Sequence, residues 1–96
     1  MKTIQAKEVE TRYNDLNVVD VREAEEVAEG KIPGATHIPL GVLEYRMNEL
    51  DKNTPYVMVC RSGGRSSQAT RFLQDQGYDV TNMEGGMMSY NGDTEK

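Results

Sequence analysis

The sequence predicts an α/β domain with a mainly parallel sheet and helices on both of its faces. Two short runs, Val18-Val19-Asp20-Val21 and Tyr56-Val57-Met58-Val59, are nearly continuous in apolar character, as strands buried on both faces are. Segments with helical spacing separate the strand candidates, and strands joined through helices need crossovers that make neighbours parallel. Glycine and proline fall singly between these segments, where such a fold places its turns. Ninety-six residues suit one domain, expected over 1–96, with no repeat or low-complexity stretch.

Taken in order, Thr3–Gln5 reads as a brief strand. Ala6, Val9 and Tyr13, spaced by three and four, predict a short amphipathic helix. After the Val18–Val21 strand, Glu23–Glu29 is expected to be helical, with acids crowding its first turns and Gly30 ending it. Glu23, Glu25 and Glu26 read as its solvated face. Ile32-Pro33-Gly34 has the pattern of a turn, and a strand is expected around Ala35–Ile38. Leu40, Leu43, Met47 and Leu50 predict one further helix with a single core face. Pro55 opens the Tyr56–Val59 strand, and Ser66–Gln76 is the strongest helix, carrying Ala69, Phe72 and Leu73 on one side. Tyr78–Thr81 reads as a last strand, and Gly85-Gly86 precedes a short closing helix. Met83, Met87 and Met88 suit core filling or pocket lining. From about Asn91 the polar tail is expected to fray.

Composition limits the functions on offer. Eleven basic residues against sixteen acidic give a net charge of −5, with a pI near 4.8. Polyanion backbones reward net positive charge, so nucleic acid is excluded as the main partner. No apolar run approaches the ~20 residues of a membrane helix, and no membrane partner is expected. Met1–Glu8 has a lysine but no apolar stretch behind it, so no export signal is expected and a cytoplasmic location is. One cysteine, Cys60, excludes an internal disulfide and a multi-cysteine zinc site. With a single histidine, His37, a metal centre would depend on carboxylates alone. The reading is therefore metal-free, and His37 is assigned to structure or surface.

In open parallel sheets, ligands bind beyond the carboxyl ends of the strands. That rule marks Asp20-Val21-Arg22 and Cys60-Arg61-Ser62-Gly63-Gly64-Arg65-Ser66. Cysteine reacts as its thiolate, and a helix N-terminus with neighbouring guanidinium groups lowers its pKa. Both features are implied here, because the strongest helix starts near Arg65–Ser66 and Arg61 and Arg65 flank the sulfur. Three of six arginines, Arg61, Arg65 and Arg71, lie in an eleven-residue window without an acid. Gly63-Gly64 allows successive N–H groups to turn inward as an anion-binding nest. An inert core thiol is the bland alternative for Cys60, and the loop around it argues against that. At Asp20 the bland alternative is a cap for the helix starting near Arg22, with Arg22 paired to a carboxylate.

Six segments then occur in a familiar order: Asp20-Val21-Arg22-Glu23, Gly30-Lys31-Ile32-Pro33-Gly34-Ala35, Ile38-Pro39-Leu40, the Cys60–Ser66 loop, Gly77-Tyr78 and Glu84-Gly85-Gly86-Met87. Over nearly its whole length the chain resembles the single-domain rhodanese (thiosulfate sulfurtransferase) family. The resemblance implies a five-stranded parallel sheet with the cysteine loop at the strand ends. It implies that Cys60 attacks the outer sulfur of thiosulfate, expels sulfite and becomes a persulfide, which a thiol or cyanide then discharges. Such covalent, two-step transfer is ping-pong and requires no cofactor. In this scheme the N–H groups from Arg61 to Ser66 stabilise the persulfide, and Arg61 and Arg65 hold the donor's oxygens. Asp20 and Arg22 become supporting residues. A monomer is expected. Two positions depart from the family pattern: Lys31 stands where histidine is frequent, and Tyr90 where tryptophan follows Gly-Gly-Met.

Three other readings share some of these features. A cysteine-loop phosphatase or arsenate reductase uses Cys-x5-Arg, whereas Cys60 and Arg65 are spaced Cys-x4-Arg, and no second cysteine exists to resolve a disulfide. A non-catalytic docking module usually lacks the cysteine. A persulfide carrier loaded by a partner protein has the same loop as the thiosulfate enzyme.

Overall fold

The computed structural model describes residues 1–96. Five strands, β1 (Lys2–Gln5), β2 (Val18–Asp20), β3 (Thr36–His37), β4 (Tyr56–Val59) and β5 (Val80–Glu84), form one sheet in the order β1-β5-β4-β2-β3. Every pairing is parallel. Helices α1 (Ala6–Arg12), α2 (Ala24–Ala28), α3 (Leu43–Arg46) and α4 (Gly64–Asp75) supply the crossovers.

Alternation along β4 decides which face the sulfur occupies. Val57 and Val59 point into a core with Ala6, Val9 and Met83 on the α1 side. Met58 and Cys60 point the other way, among Ala69, Leu73 and Val80 on the α4 side. Side chains on a strand reverse face at every residue, so this register leaves Cys60 beneath the start of α4. Both cores are closed: Val9, Val59, Met58 and Leu73 have no exposed surface.

Four expected boundaries shift, each for a local reason. The last strand starts at Val80, because the Tyr78 N–H donates to the Leu73 carbonyl (3.0 Å) and completes the end of α4 instead. Its polar residues, Asn82 and Glu84, hid its true extent, which β1 completes through the pairs Lys2–Thr81 to Gln5–Glu84. The single helix expected over Leu40–Leu50 is three pieces: a 3₁₀ turn at Leu40–Val42, α3, and a second 3₁₀ turn at Met47–Glu49. Val42 and Arg46, at ψ 7° and 0°, break the helical hydrogen-bond register between the pieces. Helix α4 begins two residues early, at Gly64, which brings its N-terminus closer to Cys60.

The tail does not fray. Lys31 and Glu95 exchange backbone hydrogen bonds of 2.8 Å in each direction, and the Glu95 carboxylate accepts from Lys31 Nζ (2.5 Å) and the Gly34 N–H (3.0 Å). Tyr90 Oη donates to the Asp93 carbonyl (2.7 Å), and the Asn91 N–H donates to Glu10 (2.7 Å). Composition could not show these partners, since each lies on a distant or backbone group.

Beyond β2, Asp20 and Arg22 form a buried ion pair. Asp20 Oδ2 accepts from Arg22 Nη2 at 2.7 Å, and Oδ1 accepts from the Arg22 Nε and backbone N–H at 3.0 Å. Arg22 continues to the Gly30 carbonyl (2.8 Å), so it ties the end of β2 to the exit of α2, where a cation is favoured. His37 Nε2 donates to the Arg22 carbonyl (2.7 Å), a structural role for the one histidine. Asp20 is not the cap of α2. Glu23 is, in a reciprocal capping box with Glu26, whose Oε1 accepts the Glu23 N–H at 3.0 Å. Replacing Asp20 by alanine strands a buried guanidinium, so Asp20→Ala should cost about 3–5 kcal/mol of stability in urea unfolding.

Candidate active site

The site is the turn from β4 into α4. Gly63, at φ 102°, is the left-handed residue that reverses the chain just before the helix. Its N–H points at Cys60 Sγ from 3.0 Å, and Ser66 Oγ lies 3.3 Å from the same sulfur. Burial pushes the Cys60 thiol up, but the Ser66 hydroxyl and the N–H groups of Ser66, Gly63 and Ser62 outweigh it and leave the thiol below its ordinary pKa. These donors favour the thiolate form of Cys60 over the thiol. Cys60 has no exposed surface, so a reagent must reach the sulfur past the loop.

The N–H groups face inward because the loop's carbonyls are engaged outside. Met87 N–H donates to the Cys60 carbonyl (2.8 Å) and Met88 N–H to the Arg61 carbonyl (2.9 Å). These donors belong to the turn after β5. Gly86 sits there at φ 60°, and a β-carbon on it would lie 2.4 Å from the Arg61 carbonyl oxygen and 2.6 Å from that of Cys60. Gly86 lets that turn close on the loop, and sequence chemistry does not single it out. The signal was present, since Gly85-Gly86 is a paired glycine after a strand, but nothing local showed which backbone it would meet.

Ser66 carries a second polar contact. Its hydroxyl lies 2.5 Å from Asn82 Oδ1, a buried amide on β5, in addition to the sulfur and the Gly63 carbonyl (3.3 Å). Asn82 was not among the expected site residues, because β5 was read too short to include it.

The charged residues divide. Arg61 is exposed and makes no ion pair. Arg65, expected to hold donor oxygens, is instead gripped by Glu26 through two parallel hydrogen bonds of 2.6 and 2.7 Å. Glu26 is thus not part of a solvated face: Arg65's hydrogen bonds hold its carboxyl down at about 2, against a smaller opposing effect of burial. Glu23 and Glu25 are exposed as expected. Met83 is core, Met87 half-buried, and Met88 is 70% exposed beside the loop. Asp20 and Arg22 make their contacts with each other and with the exit of α2 rather than with Cys60. No group of histidine, cysteine and acidic side chains is arranged to hold a metal.

A family profile for the rhodanese-like domain matches residues 5–93. The chain belongs to the rhodanese-like domain family. Among its relatives, YtwF of Bacillus subtilis, provisionally named a sulfurtransferase, is 45% identical over 99% of this chain and 92% of its own length. YrkF of the same organism, provisionally named a sulfur carrier protein, is 47% identical over 83% of this chain, which spans 44% of that protein. The crystal structure of SSP1007 from Staphylococcus saprophyticus superimposes over 100% of both chains with a TM-score of 0.94 at 35% identity. The rhodanese-like sheet of five parallel strands therefore agrees with the sequence expectation in strand number, direction and placement of the loop.

Two substitutions probe this geometry. Gly86→Ala should destabilise the domain by about 2 kcal/mol or more, from positive φ and collision with backbone atoms, measured by thermal or urea unfolding. Ser66→Ala removes a donor that favours the thiolate. The midpoint of the pH profile for Cys60 alkylation should move upward, and alkylation at neutral pH should slow severalfold.

Proposed function

We propose that this chain moves sulfane sulfur through a persulfide on Cys60. The observation that carries the reading is the convergence of the Gly63 N–H and the Ser66 hydroxyl on one buried sulfur, where both favour its thiolate form. Membership of the rhodanese-like family and kinship with proteins named for sulfur transfer and sulfur carriage support sulfur as the group moved.

In the forward half-reaction the Cys60 thiolate attacks the outer sulfur of a donor, for which thiosulfate is the simplest case. A bond forms between Cys60 Sγ and that sulfur while the donor's S–S bond breaks, and its electron pair leaves with sulfite. The persulfide that results carries the negative charge one atom further out. There the N–H groups of the loop, with the N-terminus of α4 behind them, would stabilise it. An acceptor, cyanide or a thiol, then attacks the outer sulfur and returns Cys60 as thiolate. Thiolate leaving groups need no proton, so the scheme uses no general acid, in keeping with His37 being occupied by the Arg22 carbonyl. Two half-reactions through one covalent intermediate give ping-pong kinetics.

A second reading, that Cys60 receives its sulfur from a partner protein and passes it on as a carrier, uses the same atoms. Kinship with YrkF, provisionally named a sulfur carrier protein, supports it. The Cys-x4-Arg spacing leaves the phosphatase reading without support, since Arg65 turns to Glu26 rather than over the sulfur.

Incubating the reduced protein with thiosulfate should add one sulfur atom to its intact mass, removable by cyanide, while Cys60→Ser adds none. Sulfur retained on the Cys60→Ser protein would rule out the covalent mechanism. Loading by a protein persulfide but not by thiosulfate would select the carrier.

A further inference from the structure

The charges around the mouth of the loop nearly cancel. A cavity of about 370 Å³ opens beside the loop, lined by Arg22, Glu26, Glu29, Arg61, Met87 and Met88. Arg22 is already neutralised by Asp20 at 2.7 Å. Arg65 is neutralised by Glu26, and Glu26 is itself fixed in place, because its Oε1 also accepts the Glu23 N–H in the capping box of α2. That leaves Arg61, with the Glu29 carboxylate on the same cavity. Two guanidinium groups would suit a dianion, since planar forks match its oxygens, but the fork of Arg65 is occupied by a carboxylate of the chain itself.

We propose that Glu26 sets donor choice: by holding Arg65 it withholds a positive charge from dianionic donors and turns the site toward organic persulfides, R–S–SH. The proposal deepens the reading of Cys60 as the sulfur-bearing residue and rests on it. Transfer from such a donor balances without an oxidant. Cys60 thiolate forms a bond to the terminal sulfur, the donor's S–S bond breaks, its electron pair leaves on R–S⁻, and the proton stays with the transferred sulfur. The leaving thiolate carries one charge where sulfite carries two, and the apolar surfaces of Met87 and Met88 are available to the R group.

The test compares two donors on three proteins. Single-turnover loading of Cys60 is followed by intact mass with thiosulfate and with cysteine persulfide, a zwitterion, for the parent and for Glu26→Gln. Glutamine at this position retains a capping-box partner, so the fold survives, as circular dichroism can verify. The parent should load faster from cysteine persulfide, and Glu26→Gln should raise the ratio of thiosulfate to persulfide loading about tenfold. The double variant Glu26→Gln with Arg65→Ala should lose that gain, because it acts through the released guanidinium. A ratio that stays level or falls in Glu26→Gln overturns the proposal, as does a gain that persists without Arg65. Absence of sulfur on Cys60 from both donors in every protein would fail the underlying reading as well, and is distinguishable because a changed ratio requires a loaded cysteine.

Discussion

A cysteine sulfur without solvent can hold negative charge only where the protein supplies the hydrogen bonds that water would. Everything near Cys60 follows from meeting that condition with backbone. Gly63 turns the chain so that its N–H faces the sulfur, and α4 starts at once behind it. The loop's outward carbonyls would otherwise compete, and the turn after β5 removes them by donating the Met87 and Met88 N–H groups. That turn can approach only because Gly86 has no side chain. A single electrostatic requirement thus fixes the ends of two neighbouring strands, one helix start and two glycines.

The ionic framework behind the loop is of another kind. Asp20 and Arg22 are buried, mutually satisfied and extended by the Gly30 carbonyl, so they brace the carboxyl end of β2 against α2. Glu26 stands in the first turn of that helix and links the brace to the Cys60 loop through Arg65. Position in α2 is therefore felt at the loop through rigid, charge-assisted contacts. A buried pair of this type contributes little net stability over an apolar one, and its value lies in geometry.

How far the site could be read in advance follows from the range of each signal. Cys60, the paired glycines and the helix start lie within seven consecutive residues, so spacing alone singles out the cysteine and a loop able to turn N–H groups toward it. The strand Tyr56–Val59 was legible for the same reason, since its apolar run is contiguous and matches β4 residue for residue. Contacts between distant segments were not legible. Asn82 was missed because polar residues at 82 and 84 disguise β5, and a strand in the shelter of β1 can carry them. The pairing of Glu26 with Arg65 spans 39 positions, and a glutamate in the first turn of a helix is ordinarily explained by the helix dipole. The order of the tail is not legible because its partners, Lys31 and Glu10, are half-buried charged residues 64 and 81 positions away, whose chemistry permits many arrangements.

Ser66 has three acceptors within 3.3 Å, the Cys60 sulfur, the Gly63 carbonyl and the Asn82 carbonyl oxygen, but its hydroxyl carries one hydrogen. The shortest of the three contacts is to Asn82 Oδ1, 2.5 Å between oxygens, and negative charge on the sulfur competes for the same hydrogen. The buried Asn82 side chain therefore shares its hydrogen bond with the sulfur, and holds less of it when the sulfur is charged. Its amide resonances should register the state of the sulfur from the interior of the sheet, giving the molecule a spectroscopic gauge on the far side of its own nucleophile.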